Sequence, residues 1–209
     1  MRRTVFVRLL ALSALSVCAC ASVSAQEPAP RSRRPVLDNW SLPSRSTPAP
    51  EPGADASGWR LVAPEGEGFS VRMPGTPEVR REAGRGAGGR GYRLDADGIH
   101  YEVISTDPFP AQFYELPDFE RDFLNSVPGA LEAGAQREWP QMRLRVASSE
   151  ATSLGGYEGR AVELASAEYR SSVRAFLVNR ALVVVAMTGR KSAFTDENVA
   201  RFFGSLRLN

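Results

Sequence analysis

The feature that most restricts this chain is an Asp97-Gly98 pair set between two runs that alternate apolar and polar residues. Asp-Gly favours a two-residue hairpin turn, because both central positions need positive φ and the resulting twist matches that of paired strands. Pairing outward from the turn puts Ala96 opposite Ile99, Leu94 opposite Tyr101 and Tyr92 opposite Val103. These residues make one apolar face. The other face then carries Asp95 opposite His100 and Arg93 opposite Glu102, two complementary cross-strand pairs. A slip of one residue would turn the whole apolar set to solvent, so the register is strongly specified.

Further elements follow from the same reasoning. Phe69-Ser70-Val71-Arg72-Met73 alternates and stops at Pro74-Gly75. After Pro140, strands are expected over residues 142–152, 157–167, 169–178 and 181–188, with turns at Gly155-Gly156 and Asn179-Arg180. Residues 182–187 are apolar at every position, which marks a central strand covered on both faces. A helix is expected from Asp118 as N-cap, with Phe119, Phe123 and Val127 on one stripe. Pro128-Gly129 should break or kink it, with residues 130–135 continuing as a second short helix. At the C-terminus, Thr195 is the expected N-cap, and Asp196 and Glu197 suit the positive end of the helix dipole. Phe194 and Val199 can form a hydrophobic staple, and Val199, Phe202, Phe203 and Leu206 a buried stripe.

The N-terminal quarter has a different character. Arg2, Arg3 and Arg8, an apolar run at 9–17 and then small residues give the order of a secretory signal, read as residues 1–25. The apolar run is too short to span a bilayer. Two processing readings stay open. Val23-Ser24-Ala25 suits ordinary cleavage before Gln26, whereas Val17-Cys18-Ala19-Cys20 resembles a bacterial lipobox, with Cys20 as the candidate lipidation site. Residues 26–57 hold seven prolines and no apolar periodicity, so they read as a disordered linker. Residues 58–209 form the remaining domain, expected to be α+β.

The segments Gly68 through Pro77, Tyr101 through Asp107 and Phe202-Phe203-Gly204-Ser205-Leu206 together resemble the PsbP-like group, especially its exported bacterial members of unknown function. The resemblance spans about residue 59 to 209 and implies an α/β/α sandwich, an antiparallel sheet flanked by helices. It implies protein binding or an assembly role and brings no catalytic motif with it.

The residue inventory narrows the chemistry. Both cysteines, Cys18 and Cys20, fall in the signal segment, which leaves the domain without a thiol nucleophile or thiolate ligand. His100 is the sole histidine, and the hairpin pairs it with Asp95 as a structural couple; Ser105, on the same strand, is too far along to be activated by it. Asp95-Ala96-Asp97-Gly98 resembles the start of a calcium loop but lacks the later ligands. The glycine-rich stretch 84–91 leads into a strand, not into a phosphate-binding helix. With Arg80, Arg81, Arg85, Arg90 and Arg93 beside it, that stretch is the candidate contact for an anionic surface.

The net charge of +2 is too small to imply a polyanionic partner. No cofactor or metal and no nucleic acid is expected, and membrane contact only through a lipid anchor. The expected function is therefore a non-enzymatic protein-binding or assembly domain in the periplasm or outside the cell, whose partner is an envelope protein or an anionic surface. The alternative is a carrier of an apolar small molecule or lipid, in a pocket between the sheet and the helix at 118–127. A hydrolase ranks behind both.

Overall fold

The structure, a computed structural model, describes residue 55, residues 57–82 and residues 88–209. The signal segment, Cys20, Arg85 and nearly all of the linker lie outside the described residues. Strands β3 (Glu78–Glu82), β4 (Gly89–Ala96), β5 (Ile99–Thr106), β6 (Arg145–Leu154), β7 (Tyr157–Ala165), β8 (Tyr169–Val178) and β9 (Ala181–Arg190) form one antiparallel sheet. Their order is β3-β4-β5-β9-β8-β7-β6. Strands β1 (Arg60–Val62), β2 (Phe69–Met73) and β10 (Arg207–Leu208) make a small second sheet in the order β1-β2-β10. Among the described residues, three helices complete the fold: α1 (Ala111–Tyr114), α2 (Phe119–Glu138) and α3 (Asp196–Gly204).

The central strand is β9, as its unbroken apolar run requires. Val183, Val185 and Met187 face a core shared with Phe69, Val71 and Met73 of β2, Tyr101 and Val103 of β5, and Phe202, Phe203 and Leu206 at the end of the chain. Leu182, Val184 and Ala186 face a second core with Phe119, Phe123, Leu124 and Val127 of α2 and Val162, Leu164, Val173 and Ala175 of β7 and β8. The large sheet is thus covered by α2 on one side, and by α3 with the small sheet on the other. Each fully buried aliphatic or aromatic side chain contributes about 1.5–3 kcal/mol, so this double burial is what holds the sheet together.

The β4–β5 hairpin has the expected register throughout, from Ala96↔Ile99 to Tyr92↔Val103. Its turn residues Asp97 and Gly98 have φ of 52° and 77°, and Asn179 and Arg180 turn β8 into β9 with φ of 48° and 69°. The α3 N-terminus is a closed capping box: the Thr195 hydroxyl accepts from the Asn198 amide, and the Asn198 side chain accepts from the Thr195 amide.

Several expectations are corrected. Asp118 precedes α2 but does not cap it, because φ of 61° turns its carboxylate away from the helix amides; it pairs with Arg121 at 2.9 Å. Pro128 does not divide the helix, which runs unbroken from Phe119 to Glu138. Proline deletes one N–H, but the apolar stripe continues across it through Val127, Ala130 and Ala135, and burial of that stripe outweighs the lost bond. Residues 140–142 form a 3-10 turn and Arg143 has φ of 50°, so β6 begins at Arg145 and not at Met142. Strand β4 begins at Gly89 within the glycine-rich stretch, since a side chain there would put a Cβ 2.3 Å from the Ser105 carbonyl oxygen.

Where the chain joins the domain, Asp55 acts as a fastener. Its carboxylate accepts from the Ser57 hydroxyl and amide and from the Trp59 amide, and it pairs with Arg72 and Arg201. Donation by the Ser57 hydroxyl first, then by the other partners, holds this carboxyl far below the usual carboxylate range. Trp59, with Arg201 over its ring, then plugs the first core.

Two glycines distinguish packing from propensity. At Gly159 on β7 a Cβ would sit 2.4 Å from the Ala175 carbonyl oxygen and 2.5 Å from the Phe176 ring, whereas at Gly134 in α2 it would meet nothing. Gly159→Ala should therefore lower stability by about 1–3 kcal/mol, while Gly134→Ala should raise it by about 0.5–1 kcal/mol. Urea unfolding of the two variants checks both signs.

Candidate functional site

Cross-strand register decides what the arginine-rich region can do. The pairs Glu78↔Arg93 and Arg80↔Gly91 set Arg80 and Arg93 on one face of the sheet, and Arg81↔Arg90 sets those two on the other. The arginines therefore do not form one patch. Arg80 grips Glu78 through two hydrogen bonds of 2.9 Å, Arg90 pairs with Glu67 at 2.8 Å and Arg93 pairs with Glu102 at 2.6 Å. The last pair is largely shielded, with side chains 14% and 11% exposed. Arg81 is exposed and has no ion pair among the described residues. Most of the positive charge read from the sequence is thus neutralised where it stands.

The hairpin's other couple extends further than the sequence shows. His100 Nδ1 lies 2.8 Å from Asp95 Oδ1, a hydrogen bond across the hairpin. Register places Thr188 of β9 beside His100, and Ser171 of β8 beside Thr188. An Asp–His–Thr–Ser row therefore crosses four adjacent strands on the α2 side, with the Trp139 ring edge-on to His100 at 5.6 Å. The Thr188 and Ser171 hydroxyls bond to each other at 2.7 Å, and both residues are only 3% exposed. His100 Nε2 is buried with no hydrogen-bond partner. The row has the residue types of a nucleophilic relay, but its hydroxyls are engaged with each other and out of reach of substrate. Ser105, considered with His100 from the sequence, points to the opposite face and donates to the Glu67 carbonyl. Tyr114, in the aromatic cluster around Phe119, also has a buried hydroxyl without a partner; burial pushes it up to about 12.

A concave feature lies elsewhere. A cleft of about 400 Å³ opens between the N-terminal half of α2 and the β6–β7 side of the sheet. Its lining includes Arg121, Leu124 and Asn125 from α2, Ser153 from β6, and Glu158 and Arg160 from β7. Arg160 is half-buried, and its hydrogen-bond partner is the neutral side-chain oxygen of Asn125. Cross-strand, Arg160 faces Ala151 and Ala175, neither of which can offset its charge. Arg121 is shared between Asp118 and Asp122. Charged and polar side chains thus share the lining with Leu124 and Ala151. The space beneath α2 is occupied by Phe123, Leu124 and Val127 against the sheet.

One contact ties the helix to the start of β6. Glu132 of α2 accepts from the Val146 amide, from Arg145 and from Gln136, each at 2.9–3.0 Å. The Val146 amide foremost, with Arg145 next, holds this carboxyl below its ordinary range. A bulge between Val146 and Ser148 follows directly. The sequence gives no local signal for Arg160 with Asn125 or for Glu132 with Val146, because each pair spans a helix and the sheet edge.

No protein-family model matches the chain, and no curated protein matches it by sequence. Among solved structures, the solution structure of cyanobacterial PsbP (CyanoP) from Synechocystis sp. PCC 6803 superposes with a TM-score of 0.55. The match covers 75% of this chain and 96% of that one, at 11% sequence identity. The fold is PsbP-like. At that identity the likeness speaks for the architecture alone, and it bears out the resemblance carried by the short strand and C-terminal motifs.

The Glu132 contact gives the PsbP-like domain a defined acid response. A carboxyl lowered on folding adds stability that is complete above its unfolded value of about 4.3 and is lost as pH falls through the folded value. Glu132→Gln should therefore be less stable than the wild type at neutral pH, by a gap that stays constant down to about pH 5 and narrows below about 4.3. Thermal unfolding of the pair across that range checks the sign.

Proposed function

We propose that this chain is an exported, non-enzymatic binding domain, held on a linker in the cell envelope or outside the cell and engaging a protein partner. Export rests on the order of charge, apolar run and small residues in the first 25 positions, and tethering on the seven prolines that follow. The observation that carries the binding reading is the cleft beside β6. It is open, carries the charges of Arg121, Glu158 and Arg160 beside Leu124, and its Thr152 and Ser153 hydroxyls have no histidine among the lining residues. The hydroxyls that do lie near the histidine are sealed between strands. A surface that can recognise but holds no activated group suits binding better than turnover.

Cross-linking in intact cells of the native host, followed by purification and mass analysis, tests this reading. The expected result is one partner recovered reproducibly, on a mature chain that starts at Gln26 or at an acylated Cys20. Repeated recovery of the chain alone, or a chain that still carries its first residues and stays in the cytoplasm, would overturn it.

A further inference from the structure

The two ends of the large sheet are protected very differently. Strand β3 is short, and four of its residues, Glu78, Arg80, Arg81 and Glu82, are charged. That is how edges are normally kept from pairing with other chains. Strand β6 is ten residues long, has no proline, and carries only Arg145 and Glu150 as charges. Among the described residues it pairs with β7 on one side and with no strand on the other. At its start the edge is closed by the chain itself, since Glu132 takes the Val146 amide just before the bulge. Beyond the bulge, residues 148–154 have no further backbone partner among the described residues.

This free stretch forms one wall of the cleft, through Ala151, Thr152 and Ser153. A strand laid along it would send every second side chain under the N-terminal half of α2. There it would meet Arg160, whose cross-strand neighbours are alanines and whose bond to Asn125 leaves its charge uncompensated. Glu158, on the same face two positions earlier, is exposed and forms no ion pair with it. We infer that β6 is a docking edge for an extended acidic segment of a partner protein, which pairs with residues 148–154 and places a carboxylate on Arg160. Backbone pairing supplies affinity, and the arginine selects the charge and sets the register. The chain's own arrangement at Glu132, a carboxylate reaching an edge amide and Arg145 together, is the same chemistry about two helical turns beyond Asn125. A second copy of this chain fits less well: it would bring another Arg160 to the rim and no acidic run in β6 to meet the first.

The inference rests on the binding reading above and sharpens it to one edge and one partner chemistry. The test uses two fluorescent peptides as long as β6, one alternating threonine with aspartate and the other threonine with lysine. Fluorescence anisotropy gives affinity, and amide NMR of the protein maps the contact. The aspartate peptide should bind saturably, shift the amides of residues 148–154 and slow their exchange, while the lysine peptide does not bind. Arg160→Gln should weaken binding about tenfold, the effect of one lost charge-assisted hydrogen bond. Equal binding of both peptides, no saturable binding, or shifts confined to another surface would each overturn the inference. So would self-association that protects β6 without any peptide. If Arg160→Gln fails to fold, the amide map of the wild type decides alone. A native partner cross-linked through a different face would leave the general binding reading intact and sink this one.

Discussion

Everything in this fold depends on β9 being buried on both faces. With Val183, Val185 and Met187 on one side and Leu182, Val184 and Ala186 on the other, the strand is a common wall for two cores. Such a strand cannot lie at an edge, and it needs both neighbours and both covering layers to satisfy its area. The hairpin supplies β5 on one flank, and the turn at Asn179-Arg180 supplies β8 on the other. Helix α2 closes one face, and α3 with the small sheet closes the other. The position of every functional candidate follows from this wall.

The same constraint explains why the ends of the sheet differ. Burial weakens with distance from β9, so β6 lies where α2 only partly overhangs the sheet and its residues are mostly exposed. The cleft is the gap left where the helix stops covering. Its lining mixes Leu124 and Ala151 with Arg121, Asn125, Glu158 and Arg160, while most apolar side chains of α2 pack over β7, β8 and β9. At the opposite end, β3 carries four charges, of which Glu78 and Arg80 pair with each other, and Arg93 of β4 pairs with Glu102 of β5. One end is closed by charge and the other is open beside an arginine. The docking edge proposed above rests on that asymmetry.

Where interactions are local, the sequence is legible. The Asp97-Gly98 hairpin, the central apolar strand and the Thr195 cap all depend on residues within a few positions of one another, and all stand as read. Asp118 misled because composition names a capping residue while backbone conformation decides whether it caps. Pro128 misled because a local penalty was outweighed by an apolar stripe that only the sheet rewards. The arginine cluster looked like one patch because sequence neighbours were counted together, although alternation sends them to opposite faces. Thr188 beside His100, and Arg160 with Asn125, come from strand order and helix placement, which no short motif encodes.

One rigid central strand supports a sheet whose β6 edge is free among the described residues. Native-state hydrogen exchange of the isolated protein tests both halves at once. Amides of β9, residues 181–190, should exchange only with global unfolding, while outward-facing amides in residues 148–154 should exchange orders of magnitude faster. Protection of β6 equal to that of β9 would contradict it, since the edge would then already be covered.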